Sequence, residues 1–583
     1  MTPRRTAPCQ PRELARRATG RRGFLRFEGH RKEALETGRT RLLVAGIVFA
    51  VAFSAIGLRV IDVAVLSGSD ARTVAHRGGE QPHSATRADI VDRNGTVLAT
   101  SLEVASLYAN PKEVARPAAV ARQISEVLPE VSQPHTQALL ESDKSFVWIE
   151  RKLSPREQYE INRLGIPGLY FKQEERRFYP HGDLTAHVVG YTNVDNQGIA
   201  GIEQSFDELL TGSQRPLRLS LDVRVQHILT EELRKAMREF DGIGAAGVVM
   251  DAKTGELVAM SSLPSFDPNQ PGTATEEARF NRASLGIYEM GSVFKIFTTA
   301  SALDTGSVRL FESFDVSEPI RAGGFRITDY KPKKGDLSVP EIFMHSSNIG
   351  TVKMAMQAGT KVQQNMLSAL GLTQPVSLEL PEVGTPMVPS PWREINTMTI
   401  SYGHGLAVNA VQLASAVATT VNGGVRHQPT LLARDPQDVG DGKRVFARET
   451  SEQMRRLMRL VVEYGTGKNA AAEGYRVGGK TGTADKQRNG RYAHDARISS
   501  FIAAYPMDDP RYVVFAMVDE PQGQKHTFGF ATGGWVAAPV VKRVVERMGP
   551  LVGVEPRETE VPKQENHPLL VKADREDKQV AAN

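Results

Sequence analysis

The stretch LLVAGIVFAVAFSAIGL, Leu42 to Leu58, is an unbroken run of 17 uncharged, mostly apolar residues. It constrains the chain more than any other feature. A run of this length lies at the short end of what crosses a bilayer. Arg41 and Arg59 bracket it and can snorkel to the two interfaces, and VIDVAVL beyond Arg59 extends the apolar character. A preamble of 41 residues without an evident cleavage site argues against a removed signal peptide. Residues 42–62 are therefore predicted to stay as a single-pass transmembrane anchor. Residues 1–41 carry twelve Lys/Arg against four Asp/Glu, so this tail is expected in the cytoplasm and the rest of the chain across the membrane.

The tail accounts for the basic balance. The whole chain has a net charge of +5, yet the part beyond residue 41 holds 60 basic and 63 acidic residues. The body thus gives no electrostatic case for nucleic acid. The single cysteine, Cys9, lies in the tail. An internal disulfide, a thiol nucleophile and a cysteine-ligated metal are thereby excluded from the exported body.

Three segments follow the anchor. In residues 63–216, RADIVDRNGTVLATSLEVASLYANP alternates apolar and polar residues around Asn94-Gly95, a hairpin signal. Residues 112–165 read as helices with polar faces, and loops and short elements follow, which suggests an α+β module for spacing or docking. Residues 217–552 change texture. LRLSLDVRVQHILTEELRKAMREF reads as a strand and an amphipathic helix, and AAGVVMDAKTGELVAM as two antiparallel strands joined at Lys253-Thr254-Gly255. Helices follow, and strands return at ISSFIAAYP and YVVFAMVDE, so the sheet should draw on both ends of the domain. Residues 553–583 are rich in charge, Pro and Gln and are expected to be disordered.

GYRVGGKTGTADK, Gly474 to Lys486, fits the phosphate-cradling pattern G-x-x-x-x-G-K-[ST] letter for letter. Such a loop should follow a buried strand and open a helix whose amides bind phosphate. Neither flank fits, because GKNAAAEGYRV precedes it and GTADKQRNGRYAHD follows. GIGAAG, Gly242 to Gly247, likewise mimics a dinucleotide fingerprint, but a helix precedes it and a strand follows, the reverse of the required order.

The alternative for Lys480, Thr481, Gly482 and Thr483 is a strand carrying a cation and two hydroxyls, with Lys480 and Gly482 on one face and both threonines on the other unless a bulge intervenes. A glycine pair just before would let substrate backbone approach. Upstream, YEMGSVFKIFTTASALDTG sets Ser292 three residues before Lys295, so the two share a helical face. A neutral lysine can take the proton of a serine hydroxyl, and burial or neighbouring positive charge favours that state. A serine at a helix N-terminus also meets N–H groups and the positive dipole end. MHSSNIGTV supplies Ser346 and Asn348, a second hydroxyl and an amide, although Ser and Asn are also ordinary helix caps. Each motif alone is weak. Together they are specific, with Ser346 54 residues after Ser292 and Lys480 132 after Asn348. S-x-x-K, S-x-N and K-T-G in this order occur in penicillin-reactive serine acyl-transferases.

On these motifs the chain resembles the class B penicillin-binding proteins, the monofunctional peptidoglycan D,D-transpeptidases, and within them the division-specific FtsI type. The resemblance runs from about Arg87 to Arg547 and includes RADIVDRNGTVLA, GIAGIEQSFDELLTG, VVMDAKTGELVAM, YEMGSVFK, SSN, SYGHGLAVNAVQLASAVATTVNGG, YGTGKNAA, GGKTGTADK and ATGGWVAAPVV. YEMGSVFK and SYGHGL look more like the division branch than the elongation branch. Met290 stands where many relatives have Pro, and Ala88 where many have Gly. Neither change removes a reacting group.

The resemblance implies an α+β fold: an N-terminal membrane helix, an extended pedestal (the dimerisation-like module, 63–216), and a transpeptidase domain (217–552) whose mainly antiparallel sheet is sandwiched by helices. It implies that Ser292 attacks the penultimate D-Ala carbonyl of a D-Ala-D-Ala stem peptide, with Lys295 as base. Ser346 would relay a proton between Lys295, Lys480 and the leaving amine. Asn348 would hold the donor peptide, and Thr481 and Thr483 its terminal carboxylate, supported by Lys480. The N–H groups of Ser292 and Thr483 would form the oxyanion hole, with Gly482 between the two threonines. No metal or organic cofactor is implied. Expected partners are stem peptides, β-lactams, the membrane, a membrane-embedded glycosyltransferase of the FtsW type and other division proteins. The expected location is the bacterial inner membrane at the septum, with the catalytic domain periplasmic. The competing readings are an elongation-type transpeptidase, a β-lactamase and a β-lactam sensor. No E-x-x-L-N lies between Ser346 and Lys480 to activate water for fast deacylation.

Overall fold

A computed structural model describes residues 46, 47, 49–51, 53, 54, 87–488, 491–557, 561 and 563–571. The chain divides into two compact units, Met1–Ser84 and Ala85–Asn583. In the first unit the described residues are helical and exposed. The basic tail and most of the expected anchor at 42–62 lie outside the described residues, and among the described residues no helix is long and apolar enough to cross a membrane.

The second unit opens on the hairpin expected at Asn94-Gly95. Asp92 Oδ1 accepts the N–H groups of Asn94 and Thr96, both at 2.8 Å, which folds the chain back. Ile90–Val91 then pairs antiparallel with Val97–Ala109. That long strand continues upward and pairs with Val147–Leu153 and Leu169–Phe178. The all-helical reading of 112–165 is thereby corrected. Helices Pro117–Val127, Gln133–Leu140 and Pro155–Arg163 form, but Val147–Leu153 is a strand among them. Its alternation fails after Ile149, where Glu150, Arg151 and Lys152 are all half-buried and Lys152 has φ 61°. Too little period of two is left to read. The three helices close over Leu107, Ile124, Leu140, Val147 and Ile161 as a separate small core. At the base of the module, Glu203 takes Arg87 at 2.6 Å and Arg177 at 2.7 Å, all three buried. Removing Glu203 would leave the buried Arg177 without an ion pair.

The larger domain is built on five antiparallel strands, in the order Gly478–Arg488, Arg491–Tyr505, Tyr512–Asp519, Gly244–Asp251, Leu257–Leu263. Its two ends meet in one sheet, as the returning strands implied. Every residue of the last three strands is buried, because helices cover both faces. Val223–Glu239 and Gly533–Met548 pack on one side through Leu229, Leu233, Val541 and Val544. Lys295–Asp304, Ala410–Val421 and Arg448–Glu463 lie on the other with Phe297, Val417 and Leu457. Ala410–Val421 is buried all round, which explains its near-continuous apolar sequence. Gly478–Arg488 ends the strand order, so the K-T-G segment borders the open side of the sheet. No helix follows it, and the phosphate-loop topology is absent there.

The disorder expected for 553–583 does not extend to the described stretch near its middle. Leu569 is 5% exposed, and the His567 ring packs on Tyr464 at 5.6 Å. One leucine seated in the main core outweighs a charge-rich surrounding that composition averages over.

Candidate active site

Gly291–Phe294 forms a 3-10 turn that runs into the helix Lys295–Asp304. Ser292 therefore sits at the N-terminal end of this helix, as expected, on the 3-10 turn that leads into its first α turn. Gly291 has φ 54°, and a Cβ there would lie 2.5 Å from Thr483 O. A Cβ on Gly482 would lie 2.6 Å from Met290 O and against Ser500 Oγ. These two glycines let the K-T-G strand lie directly on the nucleophile turn. Gly478 and Gly479, expected to make room for substrate, serve packing instead. Their missing Cβ positions are taken by Arg459 N at 2.9 Å and the Phe501 ring at 2.8 Å.

Ser292 is partly exposed, and among the described residues its hydroxyl has no hydrogen-bond partner. Lys295 is wholly buried beneath it. Its amine donates to Ser346 O at 2.6 Å, Ser346 Oγ at 3.1 Å and Asn348 Oδ1 at 2.7 Å. In this resting arrangement the base expected for Ser292 is thus held by the S-x-N segment.

Ser346 ends the helix Val339–His345 in the left-handed region, φ 61° and ψ 45°, at a cost of about 1 kcal/mol for a side chain with a Cβ. That bend aims its hydroxyl at both lysines, because Lys480 Nζ donates to the same Oγ at 2.9 Å. Ser347 is the N-cap of Asn348–Ala358, its Oγ accepting the Gly350 N–H at 3.0 Å. The cap reading weighed for this motif is therefore correct for Ser347, while Ser346 does the reaching.

Asp329 holds the segment in place. It is 7% exposed, accepts Ser347 Oγ–H at 2.7 Å and takes the backbone N–H of Ile349 at 3.0 Å and that of Asn348 at 2.5 Å. A carboxylate at a helix N-terminus also meets the positive dipole end. Sequence reasoning missed it, since ITDYKP carries no motif. The Asn348 amide spends Nδ2 on Thr328 O at 2.8 Å and Oδ1 on Lys295. One N–H and one lone pair remain for a peptide substrate.

Lys480 is also fully buried, and burial lowers its pKa to about 7. Lys295 is pushed well below its ordinary value by burial and by the Lys480 charge, with Asp329 opposing. On the opposite face of the strand, Thr481 Oγ1 lies 2.9 Å from Thr466 Oγ1, and Thr483 Oγ1 accepts the Gly533 N–H at 3.1 Å. The expected alternation holds. Thr466, in YGTGKNAA, and Gly533, in ATGGW, were legible as resemblance but not as partners of the two threonines. Glu289, three residues before Ser292, accepts the Gly405 N–H at 2.9 Å and the Tyr492 hydroxyl at 3.1 Å. It ties the turn to a glycine loop and to the strand beside K-T-G. Burial raises its pKa. Among the described residues no group of three or more His, Cys, Asp or Glu could hold a metal ion.

A free serine hydroxyl, two buried amines on a second hydroxyl and a threonine-bearing open-sided strand define a serine acyl-transfer site. The comparisons agree. Residues 245–546 match the penicillin binding protein transpeptidase domain and residues 82–237 the penicillin-binding protein dimerisation domain. The chain is 40% identical over 498 residues to a probable peptidoglycan D,D-transpeptidase FtsI of Caulobacter vibrioides, covering 83% of this chain and 84% of that protein. It is 31% identical over 518 residues to the peptidoglycan D,D-transpeptidase FtsI of Escherichia coli K12, covering 82% and 85%. Apo penicillin binding protein 3 of Mycobacterium tuberculosis superposes with a TM-score of 0.64 at 26% identity, covering 82% of this chain and 99% of that one. The chain belongs to the class B penicillin-binding proteins, in their FtsI type of peptidoglycan D,D-transpeptidase.

Proposed function

We propose that this protein crosslinks peptidoglycan stem peptides during septal wall synthesis through an acyl-enzyme on Ser292. The observation that carries the reading is the single hydroxyl of Ser346 receiving hydrogen bonds from two buried lysines, 3.1 Å from Lys295 and 2.9 Å from Lys480. In the proposed sequence Lys295, whose burial favours the loss of its own proton, takes the Ser292 proton in its neutral form as Oγ bonds to the penultimate D-Ala carbonyl carbon. The N–H groups of Ser292 and Thr483, adjacent through Gly291, receive the oxyanion. The proton passes by Ser346 and Lys480 to the nitrogen of the departing D-Ala as the C–N bond breaks. Thr481 and Thr483 hold the terminal carboxylate, and Asn348 the donor backbone. An amine of a second stem peptide then attacks the ester, forms the crosslink and releases Ser292. A β-lactam would enter the same path and stop at the ester.

The basic tail and the apolar run at 42–62 support a single-pass place in the inner membrane, with the catalytic domain periplasmic. The two matched domains, at residues 82–237 and 245–546, are a dimerisation and a transpeptidase domain, so the proposal includes a membrane-embedded glycosyltransferase and other division proteins as partners.

The test is labelling with a fluorescent penicillin followed by peptide mapping. One stable adduct is expected, on the peptide containing Ser292, and Ser292→Ala should abolish it in a protein that still folds. Labelling retained in folded Ser292→Ala would sink the assignment.

A further inference from the structure

The hairpin of Ile320–Ala322 and Phe325–Ile327, with the loop that follows, carries positive charge that the fold does not answer. Ile327 is buried against Val352 and Met398, with Ile320 beside it. The period of two then turns Arg321 and Arg326 outward, and both are exposed. The register sets Arg321 directly opposite Arg326, and like charges so placed destabilise an antiparallel pair. Beyond Thr328 and Asp329, the residues Tyr330, Lys331, Lys333 and Lys334 all face solvent. Among the described residues none of these five cations has an ion pair. Glu318 and Asp336, the exposed acids that flank the segment in sequence, pair with none of them.

The patch is attached to the reacting centre. Thr328 O holds the Asn348 side chain at 2.8 Å. Arg326 lies two residues before that carbonyl and Lys331 three after it, within about 10 Å along the chain. His345, next to Ser346, is held below its ordinary pKa by burial and then by the nearby Lys333 charge.

We propose that Arg321, Arg326, Lys331, Lys333 and Lys334 form a subsite that reads carboxylates along the donor stem peptide, on the Asn348 side of Ser292. The proposal rests on the transpeptidase reading. The D-Ala-D-Ala end of the donor delivers its terminal carboxylate to Thr481 and Thr483. Free carboxylates farther along an anionic peptide then meet cations at the other end of the site. Two opposed guanidinium groups with no acidic partner offer planar forks for carboxylate oxygens. Their mutual repulsion in the free protein is relieved when an anion sits between them.

The experiment uses the full-length protein in detergent and times fluorescent penicillin labelling of Ser292 in the presence of two synthetic peptides. Both end in D-Ala-D-Ala. One carries two free side-chain carboxylates upstream, and the other carries carboxamides there. The acidic peptide is expected to protect Ser292 at about tenfold lower concentration than the amide, and added salt should shrink the advantage. The double variant Arg321→Thr/Arg326→Thr, and separately Lys331→Gln/Lys333→Gln/Lys334→Gln, should bring the advantage toward one. Thermal unfolding of Arg321→Thr, unchanged or higher because the opposed charges are gone, would show that the loss is not misfolding. Equal protection by both peptides, protection by neither, or an undiminished preference in both variants overturns the subsite. Charge-dependent binding to vesicles of anionic lipid without any peptide preference overturns it in favour of a membrane-facing surface. A wild type that takes no penicillin on Ser292 instead overturns the transpeptidase reading beneath it.

Discussion

Lys480→Met should make the protein more stable and nearly inactive. The Lys480 amine is fully buried, and its pKa falls from 10.5 to about 7. Between those values the unfolded chain binds a proton that the folded chain lacks, so unfolding free energy rises with pH across this window. The burial cost is thus complete below pH 7 and gone above about 10.5. Linkage puts it at about 4 kcal/mol at pH 7 and about 2 kcal/mol at pH 9. Methionine fills a similar volume without a charge. The variant forfeits the hydrogen bond to Ser346 Oγ at 2.9 Å, about 1 kcal/mol, while Ser346 keeps its bond from Lys295. The net gain is about 3 kcal/mol at pH 7 and about 1 kcal/mol at pH 9. For a domain of this size that is a rise in Tm of about 4 °C at pH 7. Calorimetry of wild type and variant at both pH values reads the gain, and penicillin acylation, expected to fall at least about 100-fold, reads the function. A variant no more stable than wild type at pH 7, or one whose gain does not shrink by pH 9, would refute the buried-cation reasoning.

Ser346→Gly removes the Cβ that makes φ 61° costly, about 1 kcal/mol, but also the hydroxyl that accepts hydrogen bonds from Lys295 and Lys480, about 1 kcal/mol each, so stability should fall by about 1 kcal/mol while acylation drops about 100-fold. Unchanged acylation would take the hydroxyl out of the mechanism. Asp329→Asn keeps the shape but removes the charge that raises the Lys295 pKa. The acid limb of the acylation–pH profile should therefore move to lower pH, with a stability loss of about 1–2 kcal/mol from the weakened helix cap; a limb that stays put argues against Lys295 as the titrating base. Gly482→Ala puts a Cβ 2.6 Å from Met290 O, which should part the K-T-G strand from the nucleophile turn. A destabilisation of about 2–3 kcal/mol and loss of penicillin labelling are expected, and near-normal labelling would show that the close contact is dispensable.

The sheet was legible because its strands are buried on both faces. Gly244–Asp251, Leu257–Leu263 and Tyr512–Asp519 expose no residue, so each reads as a continuous apolar run, and the Lys253–Gly255 turn supplies the punctuation. Val147–Leu153 was not legible, because one of its faces is half-solvated and Lys152 breaks its alternation. The three motifs were legible as residue types in order. Asp329 was not, because a capping carboxylate is defined by the N–H groups it meets. Those belong to Asn348 and Ile349, some twenty residues away.

What the motifs could not show is which groups touch. The spacing of Ser292 and Lys295 on one helical face suggested a direct pair, whereas the Lys295 amine is bonded to Ser346 and Asn348. The consequence is electrostatic. Two buried amines that share one hydroxyl cannot both be charged without a large cost, so the centre favours a single proton between them. Lys295 feels burial and the Lys480 charge together, with Asp329 opposing them, while burial alone is what lowers Lys480. The Lys480 charge thus favours a neutral Lys295, the state a base needs, against the pull of Asp329. Titratable groups pushed apart in this way assign acid and base. The assignment favours Lys295 for accepting the Ser292 proton and Lys480, through Ser346, for returning one to the leaving amine. The left-handed bend at Ser346 has already placed the relay hydroxyl within hydrogen-bond reach of both lysines.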